Sequence, residues 1–347
     1  MLADTGLNDV EPVGNNFPGR VNGVISMGSL KSWVKAHSPA PLARAYRKSA
    51  IAREYLRDFR DYARSTDWEA GSAGRRPEID PAECASSRLI IASHGLEKGA
   101  ALPRVRRPFG IARRQEIEGI LGSPEQLRLL PGWLVDASRD ALRQHAEFNA
   151  TGVVCEELTP KGPERTIACS VEQVEEFVGA RRSVRDFDTS RPVDRGLLVE
   201  AVRIAGRTPS VCNRRSYRAH LIDESSTIER ALELQNGNAG FRDRVPALFI
   251  ITERRSAFVG AGERNQRWVD GGLFAMTLVW VLHGLGLDSC FLNWSQRNSV
   301  SDELRRRMGI SANEDIIVMI AVGHAAPGYR VARSLPRPLE DILQVHD

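Results

Sequence analysis

Cysteine is scarce and scattered. The five residues, Cys84, Cys155, Cys169, Cys212 and Cys290, are odd in number, widely spaced and form no Cys-x-x-Cys pair. That argues against a disulfide framework and a zinc ribbon, and for buried or incidental thiols in a reducing, cytoplasmic setting. Charge excess is also small. Lys+Arg 48 against Asp+Glu 44 gives +4, which suits local anion sites better than a general nucleic-acid surface. The longest apolar run, GGLFAMTLVWVLHGLGL, is too short and interrupted for a membrane span and reads as a buried helix. The start, MLADTGLNDVEPVG, has neither a basic nor an apolar segment, so no signal peptide is expected.

Familiar catalytic signatures are missing too. There is no His-Glu-x-x-His and no serine elbow. GLGLDS around Gly286 follows a helical pattern and precedes a strand, the wrong order for a dinucleotide fingerprint. GNNFPGRV near Gly14 lacks the lysine and hydroxyl of a phosphate loop. HGLEKG sets His94 and Glu97 three apart on one helix face. No third ligand stands nearby, so a helix terminus with a glycine stop is expected there and no metal site.

What is present is a chain of 347 residues, 42% hydrophobic and 27% charged, the profile of a soluble globular protein of one large or two ordinary domains. Residues 1–40 are rich in Gly, Asn, Ser and Pro and are expected to be poorly ordered. Residues 41–165 read as helical throughout. In PLARAYRKSAIAREYLRDFRDYARS, Leu42, Tyr46, Ile51, Tyr55, Leu56 and Phe59 recur at helical spacing. AECASSRLIIASHGLEKG is a second helix, LPRVRRPFG a basic loop, and two more helical patterns follow. ELTPKGPERTIACS is the expected linker. From residue 170 to 347 helices alternate with strands. Ser170 with Gln173 forms a capping box for VEQVEEFVGA. SYRAHLIDE, ALFIIT, SCFLNW and DIIVMIAVGH are the strands, apolar enough to be covered on both faces. SDELRRRMG is a helix with Ser301 as its expected cap.

One stretch asks for a function. RRSVRDF, Arg181 to Phe187, sets much positive charge between two helical patterns in the middle of the chain. In an extended segment Arg181, Ser183 and Arg185 point the same way. Two guanidinium forks and a hydroxyl on one side form a site for a phosphate or another planar anionic group.

The order of motifs resembles the nitroreductase-like, FMN-dependent oxidoreductase superfamily. ARRSVRDF before a helix, TPSVCN before a strand, GLGLDSCFLNW after a long apolar helix, IIVMIAVGHAAP and a late RSLPRPLEDIL carry the resemblance over about residues 170–347. SHGLEKG with RPFG resembles an extension of some members from polysaccharide gene clusters. The resemblance implies an α+β fold, a central mostly antiparallel sheet flanked by helices, here with an N-terminal helical region. It also implies bound FMN, an intertwined homodimer and NAD(P)H as co-substrate. Carried over by position, Arg181, Arg182, Ser183 and Arg185 form the basic cluster on the flavin phosphate and pyrimidine edge. Pro209, Ser210 and Asn213 line the ring, and Leu292 and Asn293 offer backbone groups. Arg333 and Arg337 match the late basic residues that close on the phosphate, but RSLPRPL is one residue out of the common spacing, so which of the two meets it stays open. No side chain is singled out as catalytic.

The expected activity is ping-pong hydride transfer from NAD(P)H through FMN to a small nitroaromatic, quinone or enone-like acceptor. One departure stands out: NRRSY places Arg215 and Ser216 where many members carry a Gln-Pro pair. An alternative reading is therefore a non-catalytic or regulatory flavin protein. A third, nucleic-acid binding through RVRRPFGIARR (Arg104 to Arg114), has several arginines but one aromatic and is not adopted. Neither a membrane nor a nucleic acid is an expected partner.

Overall fold

The computed structural model describes residues 40–66, 80–157, 159–162 and 169–346. The expectations for residues 1–39, including GNNFPGRV, lie outside the described residues, as does much of the expected linker. The chain divides into two compact units, Met1–Leu56 and Arg57–Asp347. The first ends within helix α1 (Ala40–Ser65). Its expected apolar stripe is helical, but Tyr46, Ile51, Tyr55 and Leu56 stay exposed.

In the larger unit, the last turns of α1 continue with Phe59 exposed and Tyr62 buried. Then come α2 (Pro81–Ala100), α3 (Ile111–Gly122), the short α4 (Pro124–Leu127) and α5 (Gly132–Thr151). Asp80 starts α2 by accepting the amides of Ala82 and Glu83 at 3.1 and 3.2 Å. The glycines of HGLEKG do not stop this helix, which runs through Gly95 and Gly99. Gly99 serves packing: a Cβ there would lie 2.5 Å from the Phe109 ring. Phe109 sits edge-on to His145 and Phe148 of α5, and the His145 Nε2 meets the Phe109 carbonyl at 2.6 Å. SHGLEKG and RPFG thus form one structural joint between α2 and α5. His94 and Glu97 pair with each other at 3.5 Å on the partly exposed face.

The remaining elements are α6 (Val171–Ala180), α7 (Arg195–Ala205), β1 (Tyr217–Ile222), α8 (Ser225–Leu232), β2 (Ala247–Arg254), α9 (Gln266–Gly284), β3 (Asp288–Asn293), α10 (Asn298–Met308) and β4 (Glu314–Gly323). The Ser170–Gln173 capping box of α6 is present in both directions. Helix α10 begins three residues before the expected cap. Ser301 lies inside it, accepting the Trp294 indole N–H at 2.9 Å. The four strands are antiparallel in the order β1-β2-β4-β3. Alternate strand residues enter two cores, as a sheet's two-residue period requires. Leu248, Ile250, Met319 and Cys290 join α8 and α10 on one face. Phe249, Ile251 and Ile320 join α7 and α9 on the other. The architecture is α+β. All five cysteines are free, and no helix among the described residues is long and apolar enough to cross a membrane.

One largely buried charge cluster ties one end of the sheet to the helices. Asp315 lies at ion-pair distance from Arg255 (3.1 Å), Arg267 (2.7 Å) and Arg305 (3.5 Å), and Arg267 also lies over the Tyr62 ring. Removing the single carboxylate leaves three buried guanidiniums without it. Asp315→Ala is expected to lower unfolding stability by about 3–5 kcal/mol in denaturant titration. A loss under 1 kcal/mol would mean the cluster does not hold these elements together.

Candidate functional site

The basic segment is extended, as its alternation predicts. After α6 ends, Arg181 adopts φ −63 and ψ 125. The Val184 amide then donates to the Ser289 carbonyl of β3 at 3.0 Å. Ser183 faces Ser289 in a parallel bridge, and Phe187 faces Ala325 in an antiparallel one. Val184 and Phe187 are fully buried and pin the segment to the sheet. Arg185 is exposed, and Arg181 and Ser183 are half-buried. Arg182 leaves this row and bonds back to the carbonyls of Gly179 and Arg181. It closes the end of α6.

Arg181 and Arg185 stand on either side of Ser183, in the segment that bridges β3. Burial pushes the Cys290 thiol up, and the charges of Arg185 and Arg181 oppose that shift. Arg181 also lies 5.9 Å from the Trp280 ring centre. The one acid of the segment, Asp186, is engaged by Arg244 at 3.0 Å. Among the described residues neither Arg181 nor Arg185 forms an ion pair, whereas Arg214, Arg254, Arg255, Arg267 and Arg305 all do. Two guanidiniums without carboxylates, beside a hydroxyl, are a donor set for a phosphate or another planar anion. No strand pairs with the outer edge of β3 among the described residues. The Leu292 side chain is buried in the core, so only its backbone faces that edge. Asn293 is exposed, with its amide on Ser295 Oγ at 2.8 Å.

The loop from Pro209 to Ser216 leads into β1, at the opposite edge of the sheet from β3, so within one chain it is not brought to the basic segment. Tyr217 stacks on Phe274 with ring centres 4.1 Å apart and donates to the Thr208 carbonyl, which fixes the entry. Pro209 is exposed, and Ser210 and Asn213 are half-buried. Cys212, Asn213 and Arg215 have φ of 48, 56 and 49, left-handed values for three non-glycine residues in four positions. Asn tolerates this region best, and the others are strained.

Four acidic side chains hold this loop. Asp270 accepts the Val211 amide at 3.1 Å. Glu263 takes Arg214 in a bidentate pair at 2.8 and 2.6 Å, and Arg214 is buried beside the Phe258 ring. The first arginine of NRRSY therefore turns inward and puts no charge into the open site. Ser216 donates to Glu253 at 2.6 Å. Glu83 of α2 reaches the loop through Arg254, which donates to the carbonyls of Ser216 and Arg215. Sequence reasoning missed all four acids. The available signal was the charged end of ALFIITER, which places Glu253 and Arg254 on an otherwise apolar strand.

Arg333 and Arg337 lie in the C-terminal segment, which is exposed from Pro327 to His346. Neither forms a hydrogen bond or ion pair among the described residues, and the chain does not fold them onto Arg181.

Sequence comparison gives this architecture a family. The Nitroreductase family model matches residues 178–239 and 228–324, which hold the basic segment, the strained loop and the whole sheet. The matched region, residues 178 to 324, is similar to the Nitroreductase family, and its fold is nitroreductase-like. Helices α2 to α5 lie outside the match. The chain is also similar to an FMN-dependent nitroreductase from Clostridium difficile R20291 (17% identity, 46% of this chain and 91% of that one, TM-score 0.40). A nitroreductase family protein from Streptococcus pneumoniae TIGR4 matches at 17% identity over 50% and 100% of the two chains (TM-score 0.42). A nitroreductase-like protein from Streptococcus mutans matches at 18% over 51% and 98% (TM-score 0.43). No curated protein matches the sequence.

The buried acids also make the loop's support titratable. Burial pushes the Glu253 carboxyl up to about 8. Asp270 and Glu83 add to the rise, while the Ser216 hydrogen bond and Arg254 oppose it. A raised carboxyl favours folding below its unfolded value, ordinarily 4.5, and that contribution is lost as pH rises through the folded value. Glu253→Gln removes this dependence. The melting temperature of the variant minus that of wild type should therefore grow from pH 5 to pH 8 and level off above. A difference that is constant across that range would contradict a neutral, buried Glu253.

Proposed function

We propose that the protein is an FMN-dependent oxidoreductase of the nitroreductase type. The observation that carries this is the pair Arg181 and Arg185. They flank Ser183 on the extended segment that bridges the edge strand β3, have no carboxylate partner among the described residues, and lie in the region that matches the family. The donor set fits the group. FMN carries a phosphate and an anionic-capable pyrimidine edge, and guanidinium forks match both. Ser183 adds a hydroxyl. Because the loop lies at the opposite edge of the sheet from β3, a second copy of the chain would bring its Pro209, Ser210 and Asn213 against the ring, and the backbone of Leu292 and Asn293 would supply groups at the edge of β3. Arg333 and Arg337 complete the phosphate contacts once the C-terminal segment is in place.

Bound FMN supplies hydride transfer between NAD(P)H and a small organic acceptor. The chain's own part is to bind, orient and balance charge. Arg181 and Arg185 offset negative charge gained on reduction, and preorganised donors of this kind are effective because they need no rearrangement. The loop's fixed backbone keeps Asn213 in one place. No side-chain acid is required for hydride transfer.

A second copy of the chain is the proposed partner. Trp268, Val269 and Leu273 on α9 and Val171, Val174 and Phe177 on α6 are exposed apolar residues, and the exposed C-terminal segment carries Leu335, Leu339 and Ile342. A soluble chain covers such surface by association.

The experiment is the double variant Arg181→Ala, Arg185→Ala. It should fold with an unchanged circular dichroism spectrum and lose FMN affinity by at least 100-fold, together with NADH and NADPH oxidation. Retention of flavin equal to wild type would overturn the assignment of the two arginines.

A further inference from the structure

Helix α2 lies outside the matched region, yet its first turn is seated at the base of the strained loop. Asp80 caps the helix, and its own amide donates to Ser256 Oγ at 3.2 Å. The Cys84 thiol points to the Ser256 carbonyl at 3.6 Å. These contacts fix the register of α2 against the residues that follow β2. Glu83 is thereby placed 2.6 Å from Arg254 Nη1, with its side chain largely buried. Its other oxygen accepts from Ser87 at 3.4 Å.

Arg254 has all three of its nitrogens engaged. Nη1 meets Glu83. Nε donates to the Ser216 carbonyl at 3.0 Å, and Nη2 donates to the Arg215 carbonyl at 3.3 Å. The Arg254 backbone amide donates to the same Ser216 carbonyl at 3.3 Å. Arg215 is the third left-handed residue of the loop, and its own amide donates back to Ser210 Oγ at 2.8 Å. The planar fork of an arginine fixes two acceptors at once only while its orientation is fixed. Glu83 is the group that fixes it.

We infer that Glu83 is a positioning residue for the cofactor loop, and that α2 acts on the site through the relay Glu83–Arg254–Arg215/Ser216. The N-terminal helical region is then part of the site's scaffold. It holds Asn213 and its neighbours in the left-handed backbone they need before any ligand arrives. The effect on flavin rests on the FMN reading proposed above; the hold on the loop does not.

The test uses the full chain with Glu83→Ala, Arg254→Ala and the double variant. Two readouts are taken: amide hydrogen exchange at residues 212–216 without added ligand, and the FMN dissociation constant by fluorescence quenching. Glu83→Ala should speed exchange at 212–216 at least tenfold while exchange in β2 and β4 is unchanged, and should weaken FMN binding at least tenfold. If the relay is correct, the double variant is no worse than Arg254→Ala alone. Exchange within twofold of wild type at 212–216 overturns the relay, as does a fall in melting temperature with no local change. Faster exchange without weaker FMN binding overturns the role toward the cofactor. A wild-type protein that takes up no FMN sinks the flavin reading, while the exchange result still decides the relay.

Discussion

A short loop without glycine, held in a backbone conformation it would not choose, is the constraint around which this structure is arranged. Cys212, Asn213 and Arg215 take left-handed φ values, and such residues cost on the order of 1–3 kcal/mol each unless their surroundings enforce them. Here the enforcement comes from acidic side chains. Asp270 of α9 takes a backbone amide, Glu263 takes the Arg214 fork, Glu253 of β2 takes the Ser216 hydroxyl, and Glu83 of α2 acts through Arg254. Three of these acids, Asp270, Glu253 and Glu83, are buried, and each meets a donor. Burying acids without partners would cost more than it stabilised. The loop and its support are therefore one unit, and neither explains itself alone.

At the other edge of the sheet stands the basic segment, built on the opposite logic. Val184 and Phe187 anchor it in the core, and Asp186 is taken by Arg244. What remains open is positive: Arg181 and Arg185 without carboxylates, beside a hydroxyl. The buried arginines of the chain are engaged by acids, whereas these two, on a segment that bridges an edge strand, have no carboxylate partner among the described residues. That is what an anion site requires.

Much of this was legible in the sequence. The four strands, the capping box at Ser170 and the alternation of Arg181, Ser183 and Arg185 all follow from local periodicity and chemistry, and the structure repeats them. The order of weak motifs pointed to the family that residues 178–324 match. The rest depends on contacts between distant residues. Nothing in SHGLEKG says that Gly99 makes room for Phe109, since that needs the fold that brings RPFG beside it. The stripe on α1 has the right period, yet Tyr46, Ile51, Tyr55, Leu56 and Phe59 are exposed, because periodicity says what could be buried and not what covers it. Ser301 looked like a cap because it precedes an acidic turn, but Asn298 already begins the helix. The relay from Glu83 to Ser216 joins residues more than a hundred positions apart, which no local pattern records.

The central claim is that this architecture holds FMN. The most direct measurement is the visible absorbance spectrum of the purified protein, with identification of what heat releases into the supernatant. The account predicts a flavin band and FMN released at about one per chain. A colourless protein that stays colourless after soaking with excess FMN would contradict it.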